Sequence, residues 1–425
     1  MSASGVAADR DPAGKAQRMV EAAVDIQGVN LGPPIITADR DALCEAVRRA
    51  AADHKAVVNY GDDHRGYGHA PPSRSVVIEP PSGILEHHRD DLTVTCRAGT
   101  TLESLNAALA EANQWLPLDG ASPAMTIGEA IAHNVCGPLG LGFGGPSELV
   151  LGMGLADAAG RWVQVGGRTV KNVAGYDVTR LMVGSAHALG LIGELTLRTF
   201  AMPEQVTAVT LPAFDPAAVG RHLTEWLCDD AAPIAMDWQR RVDEDHGVLH
   251  IAYMGSPAEC AARFAALRTL LPTLDYHPRR TGSRRRDGSL ADDQQARAGR
   301  VAWRANASAV VKLIVPPRHW HRAARLLEGL DLTPGSVVDG LPPQGICLAG
   351  GPWSVEQARR IDTAIGQLLD EIGGMRAWLR RPGDTPSIDP IRPDPPSWPL
   401  LRRIGRELGA DVRFNPGRLW RDERP

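Results

Sequence analysis

The sequence predicts a multidomain α+β protein, and three observations lead there. Its 425 residues exceed what one hydrophobic core usually organises. Its 44 Gly and 33 Pro indicate many connections between short helices and strands. The hydrophobic pattern also changes character after Pro203, from strands with Gly-rich connections to longer amphipathic segments.

Periodicity predicts a first helix over about Asp39–Asp53, with Leu43, Val47 and Ala50 on one face, followed by a short strand Ala56–Val58. Tyr60–Pro72, dense in Gly, Asp and Pro, is a long loop before a strand at Ser75–Ile78. Leu92, Val94 and Cys96 alternate with polar residues as in a half-buried strand. Thr100 with Glu103 reads as a capping box opening a helix Thr101–Ala112, buried through Leu102, Leu105 and Leu109. A Gly-rich connection, Met125–Gly145, precedes strands at Leu149–Asp157, Trp162–Val165 and Leu191–Arg198. From Pro203 to about Leu379 the amphipathic segments Arg221–Leu227, Glu259–Leu271, Val310–Val315 and Val355–Ile372 form a separate α+β cap domain. The stretch Pro278–Arg304 is polar enough for a mobile insertion. After Pro-rich Pro382–Pro399, a helix Leu400–Leu408 leads to Phe414-Asn415-Pro416-Gly417-Arg418. The division expected is an N-terminal extension 1–30, a first domain 31–202, a cap domain 203–385 with its insertion near 278–304, and a C-terminal segment 386–425.

A formal charge of −4 supplies no field for a polyanion, and Arg279–Arg286 is offset by Asp287, Asp292 and Asp293, so no nucleic acid is expected. No apolar run is long enough for a signal peptide or a membrane helix, and a cytoplasmic chain is expected. Cys44, Cys96, Cys136, Cys228, Cys260 and Cys347 contain no CxxC pair, which argues against zinc or an iron–sulfur cluster held here. His246-Gly247-Val248-Leu249-His250 is no metal site either, because strand alternation separates its ends and no acidic partner is placed.

Chemistry concentrates in Pro123–Pro138, PAMTIGEAIAHNVCGP, and Gly166–Arg198, GGRTVKNVAGYDVTRLMVGSAHALGLIGELTLR. Thr126-Ile127-Gly128, followed by Asn134 and Gly137, suits a diphosphate: N–H groups at a helix start point at the anion and Gly permits close approach. A tight turn opening an ordinary core helix accounts for the same residues. Asp177 precedes Val178–Met182 and suits its N-cap.

In these stretches the chain resembles the FAD-linked oxidases of the vanillyl-alcohol oxidase (PCMH-type) superfamily. Within them it looks most like the FAD-binding accessory subunits of glycolate oxidase, through KNVAGYD at Lys171–Asp177, SGILEH at Ser82–His87, VPP at Val315–Pro317 and NPGR at Asn415–Arg418. The resemblance covers about Asp39–Phe200 and the last dozen residues, and the cap domain loosely. It implies a two-part PCMH-type FAD-binding domain, an α+β cap domain and a C-terminal tail returning to the first domain. It also implies noncovalent FAD, with the pyrophosphate held by the Tyr60–Gly68 loop, including Gly61 and Gly68, and by Thr126, Gly128, Asn134 and Gly137. Gly99, Thr100, Ile192 and Glu194 would line the adenine and ribose, with backbone groups at Ile192 reading the adenine edge. Lys171 and Asn172 would lie near the flavin half; Asn415 would meet the isoalloxazine or make the turn that docks the tail.

The implied function is oxidation of a small 2-hydroxy acid, glycolate to glyoxylate, supported or relayed by this chain. A larger catalytic flavoprotein subunit and an iron–sulfur subunit would be its partners, and any contact with the inner membrane would run through them. Four departures from the family pattern bear on this. Tyr60-Gly61-Asp62-Asp63 stands where GGGT is common, and Glu129 replaces the second Gly of TxGG. A carboxylate about 5 Å from a phosphate charge costs roughly 3 kcal/mol at an effective dielectric of about 20, on the order of a hundredfold in affinity. The GGH used for covalent flavin attachment is absent, leaving only His64 and His69 nearby, and HxGDGNxH is absent from the cap domain, so no catalytic residue is assigned. Asp62, Asp63 and Glu129 support an alternative expectation, a flavin-free structural subunit that keeps the fold as an assembly surface.

Overall fold

A computed structural model describes residues 23–59, 70–167, 177–212, 215–228, 232–270, 279–283, 303–382, 388–389, 391–392 and 397–416. The first domain opens with β1 (Ile35–Ile36), α1 (Arg40–Ala52), β2 (Ala56–Asn59) and β3 (Ser75–Glu79). Asp39 caps α1 by accepting from the Ala42 N–H, and Leu43, Val47 and Ala50 are buried, as their helical spacing requires. The strands form a parallel sheet in the order β1-β3-β2. The C-terminal tail extends this sheet beyond β2: Val57 N–H donates to the Arg413 carbonyl (2.6 Å) and Asn415 N–H to the Val57 carbonyl (2.9 Å). Phe414 packs there in one cluster with Leu43, Val57 and Ile78.

The second half of this domain contains β4 (Ile84–His88), β5 (Thr93–Arg97), α2 (Leu102–Ala110), α3 (Ile127–Ala132), β6 (Val150–Ala156), β7 (Trp162–Gly166), α4 (Val178–Met182) and β8 (Leu191–Arg198). Its antiparallel sheet runs β7-β6-β8-β5-β4. Val94, Cys96, Met153, Leu195 and Leu197 form one core with Leu105 and Leu109 of α2 and Ile127 and Ile131 of α3. The cap of α2 is Thr101 rather than Thr100: Thr101 Oγ1 accepts from Ser104 N–H (3.1 Å), whereas the Thr100 hydroxyl is taken by Gly83, whose N–H lies 2.9 Å away.

The cap domain comprises β9 (Gln205–Leu211), α5 (Pro216–Cys228), β10 (Ala235–Arg241), β11 (Val248–Gly255), α6 (Pro257–Leu270), β12 (Arg279–Ser283), β13 (Ala309–Ile314), α7 (Trp320–Gly329), β14 (Val337–Leu341), β15 (Ile346–Gly351), α8 (Val355–Ile372), β16 (Met375–Arg380) and β17 (Ile391–Arg392). Its nine strands lie in the order β12-β9-β11-β10-β14-β15-β13-β16-β17. One face holds a core of Trp226, Trp238, Trp320 and Trp378 together with Ile361 and Ile365 of α8. Every residue of β14 and β15 is buried, so these strands lack the alternation that marks a half-exposed strand. The fold thus shows the mixed helix and sheet content, the cap domain and the returning tail expected of it. Between cap domain and tail lies α9 (Trp398–Glu407). Among the described residues no helix is long and apolar enough to cross a membrane.

Candidate functional site

Three segments from distant parts of the chain meet behind β2: Asn59 at its end, the turn Gly184–Gly190 between α4 and β8, and Asn415 of the tail. Asn415 Nδ2 donates to the Ala186 carbonyl (2.7 Å), and Asn59 Nδ2 lies 3.1 Å from His187 Nε2. The turn is pinned to α3 by Gly184 N–H to the Ile131 carbonyl (3.1 Å) and Ala186 N–H to the Ala132 carbonyl (2.8 Å). Asn134, Ala186, His187 and Asn415 all adopt positive φ, at 48°, 47°, 58° and 44°. Such backbone costs on the order of 1 kcal/mol per residue and persists where surrounding structure enforces it, often beside a ligand.

Among the described residues, three buried polar atoms of the same cluster have no partner, Asn59 Oδ1, Ser185 Oγ and Asn415 Oδ1. Two are carbonyl oxygens and need donors; the third is a hydroxyl that can serve either way. FAD offers ribityl and ribose hydroxyls and a ring N–H as donors, so this set of acceptors fits it. His187 is 2% exposed, and burial lowers its pKa from 6.5 to about 4 against a raising contact with the Gly190 backbone. The ring is therefore neutral near pH 7. Its Nδ1 stands 3.5 Å from the backbone N of Ile192.

The residues expected from sequence fall into three groups. Gly61, Gly68, Lys171 and Asn172 lie outside the described residues, as do Asp62, Asp63, His64 and His69. Asn134 and Asn415 reach the region just described, Asn134 in the lining of the adjoining cavity. The remainder frame the domain. Gly99 is pressed against the Pro80 and Pro81 carbonyls, where a Cβ has no room, and its N–H donates to the Pro81 carbonyl (2.9 Å). A Cβ at Gly137 would run into the Asp119 carboxylate, whose oxygens accept from Leu139 N–H at 3.2 Å. Ile192 is buried in the core and directs its N–H toward His187 rather than outward. Glu194, its pKa raised by burial, shares its surroundings with Arg40 and Arg97, which act in the opposite direction.

The expected mechanism at Thr126–Gly128, free N–H groups aimed at an anion, is corrected by the structure. Ile127 N–H donates to the Thr100 carbonyl (2.8 Å), Gly128 N–H to the Ala98 carbonyl (2.8 Å), and Glu129 N–H to Thr126 Oγ1 (3.2 Å). All three donors at the start of α3 are consumed within the chain. Gly128 is required by close packing, since a Cβ would stand 2.7 Å from Ala98 Cβ. Asp177 caps α4, accepting from Arg180 N–H (3.2 Å). Asn59, Ser185 and His187 were not singled out from sequence; the available signal was a polar Ser185 and His187 inside the otherwise small and apolar run Gly184–Leu191.

Beside the cluster, a cavity of about 490 Å³ separates the two domains, walled by Leu181, Val183 and Leu189 on one side and Ile314, Met375 and Leu379 on the other. Hydrogen bonds also tie the two domains together. Arg304 donates to the Gly120 carbonyl (2.9 Å) and pairs with Asp339 (3.0 Å), while Gln344 Nε2 donates to the Gly137 carbonyl (3.2 Å).

Comparison with known proteins shows what the chain is similar to. The FAD binding domain family matches residues 35–166. Glycolate oxidase subunit GlcE of Escherichia coli (strain K12) is 33% identical over 165 residues, 38% of this chain and 47% of that protein. A D-lactate dehydrogenase of Archaeoglobus fulgidus is 36% identical over 129 residues, 30% of this chain and 29% of its own length. Glycolate oxidase subunit GlcD of Bacillus subtilis (strain 168) is 35% identical over 122 residues, 28% of this chain and 26% of its own length. The matches thus span about half, or less, of these relatives. A solved structure of alkyldihydroxyacetonephosphate synthase superposes with a TM-score of 0.63 at 13% identity, over 91% of this chain and 76% of that one, a likeness of fold. Residues 35–166 thus carry an FAD binding domain, and most of the chain shares the fold of that synthase.

Proposed function

We propose that the chain is a noncovalent FAD-binding subunit of a 2-hydroxy-acid oxidase complex, supporting or relaying the oxidation of glycolate to glyoxylate. A larger catalytic flavoprotein subunit and an iron–sulfur subunit are the partners this reading assigns, and any membrane association would run through them. The observation that carries it is the trio of unpartnered buried atoms on Asn59, Ser185 and Asn415, beside a cavity walled by both domains. The partial similarity to subunits GlcE and GlcD supports the assignment.

When bound, FAD accepts the two electrons released as the hydroxy acid becomes a keto acid. The chain's own contribution is binding and orientation. Asn59 and Asn415 present carbonyl oxygens to hydroxyl or ring N–H donors, and neutral His187 holds Asn59 in place. The apolar walls keep water from the neighbouring space. Gly61, Gly68, Lys171 and Asn172 complete the cofactor site in this reading.

The test is to purify the full chain, denature it and separate polypeptide from small molecules. Flavin released into the small-molecule fraction supports noncovalent FAD, and flavin retained by the polypeptide refutes it. A second reading, a flavin-free assembly subunit, is favoured by the fully bonded N–H groups at the start of α3. It is upheld if the native chain is colourless and takes up no added FAD.

A further inference from the structure

The cap domain brings a lysine to the cavity between the domains. Strand alternation in β13 sends Val311 and Leu313 into the cap domain's core and Lys312 and Ile314 to the cavity wall. Among the described residues no carboxylate pairs with the Lys312 ammonium. Its charged neighbour Arg304 repels it and is itself committed to Asp339 (3.0 Å). The Cys136 thiol, the other titratable group facing it, has its pKa pushed up to about 11, chiefly by burial, and so carries no charge near pH 7. Burial lowers the pKa of Lys312 itself from its ordinary 10.5. A cation set among Leu181, Val183, Ile314 and Leu379 lacks the counter-charge that buried ions ordinarily have.

We propose that Lys312 is the anion-binding residue of this cavity, and that it takes the carboxylate of a small monocarboxylic 2-hydroxy acid. This rests on the oxidase reading above and deepens it. One ammonium balances one carboxylate. A phosphate ester, with up to two charges, would call for a second free cation. The other one lining the cavity, Arg180, is already paired with Asp177 (3.2 Å). The apolar remainder of the wall suits a ligand whose body beyond the carboxylate and hydroxyl is hydrocarbon.

Binding of D-lactate, of uncharged D-lactamide and of inorganic phosphate is measured by calorimetry on the full chain, with and without added FAD. The wild type is expected to prefer D-lactate to D-lactamide by about tenfold or more, the size of a hydrogen bond to a charged group. Lys312→Met should weaken D-lactate by a similar factor, leave D-lactamide unchanged and so erase the preference; Lys312→Arg should retain most of it. Removing an uncompensated charge should also leave the Met variant folded with an unchanged or higher Tm. If that variant nevertheless fails to fold, Lys312→Gln serves in its place.

Unchanged D-lactate affinity in Lys312→Met, equal binding of acid and amide by the wild type, or tighter binding of phosphate than of D-lactate would each overturn the proposal. Flavin reduction by D-lactate or glycolate that survives Lys312→Met with unchanged acid affinity would sink this inference and leave the oxidase reading standing. Carboxylate binding that depends on Lys312, with no flavin reduction even beside the partner subunits, would do the reverse.

Discussion

Acidification should weaken the flavin-free protein through His187 before most carboxylates respond. The ring titrates near 6.5 in an unfolded chain and near 4 in the folded one, because burial disfavours its charged form. Between these values the unfolded state binds the proton and the folded state does not, so protonation favours unfolding. The stability tied to the neutral ring is complete above about pH 6.5 and is lost as pH falls toward 4. Lowering the ring's pKa from 6.5 to about 4 corresponds to about 3 kcal/mol, lost at roughly 1.4 kcal/mol per pH unit within the window. Carboxylates near pH 4 contribute too, which the variant His187→Gln separates out, since it keeps a polar group facing Asn59 without a titrating ring. Urea unfolding of both proteins from pH 7 to 4.5, followed by tryptophan fluorescence, should show the wild type losing about 2–3 kcal/mol more than the variant. A stability difference that stays constant across this range, or a His187 ring resonance that titrates near 6.5 in the folded protein, would refute the reasoning.

Other expectations follow from the packing and the polar ties. Gly128→Ala places a methyl 2.7 Å from Ala98 Cβ and should destabilise the first domain by about 1–3 kcal/mol; unchanged unfolding with reduced FAD binding would instead return Gly128 to a cofactor role. Asn415→Ala removes the bond to the Ala186 carbonyl and should cost about 1 kcal/mol in the flavin-free chain. It should also weaken FAD measurably in an equilibrium titration, and unaltered FAD affinity would remove Asn415 from the site. Arg304→Met breaks the tie to Gly120 and Asp339 and should loosen the cap domain by about 2 kcal/mol, read as faster proteolysis between the two domains.

Much of the fold was legible because local signals coincide with burial. The stripe Leu43, Val47, Ala50 produced α1 within a residue at each end. The predicted bounds of β8 and α8 are those observed, since each combines strong patterning with clear end signals. Most of the cap domain sheet was missed for a physical reason. Strands such as Ile346–Gly351 are buried on both faces, with Ile346 and Leu348 packed against Trp303, Ile314 and Leu379. Two-sided burial removes the alternation on which strand recognition depends, and the runs are too short to tell strand from buried helix.

The site was legible in a different way. The glycines that stand out in the sequence mark places where backbones touch, and at Gly99, Gly128 and Gly137 the neighbour is the chain itself. A glycine needed for helix–strand packing and one needed for a phosphate leave the same mark in a sequence, because both report only that a Cβ has no room. What separates them is whether nearby donors remain unspent, and at the start of α3 they are spent. Among the described residues, the atoms that remain unspent at this cluster belong to Asn59, Ser185 and Asn415, which lie far apart along the chain. Their convergence depends on the tail pairing with Val57 and on the turn at Ala186 being held in a left-handed conformation. Neither condition is local, so the only mark within a window along the chain is the polar pair Ser185 and His187 in an otherwise apolar run. Lys312 illustrates the same limit, because a lysine on a strand reads as solvent-facing until a second domain is found covering it.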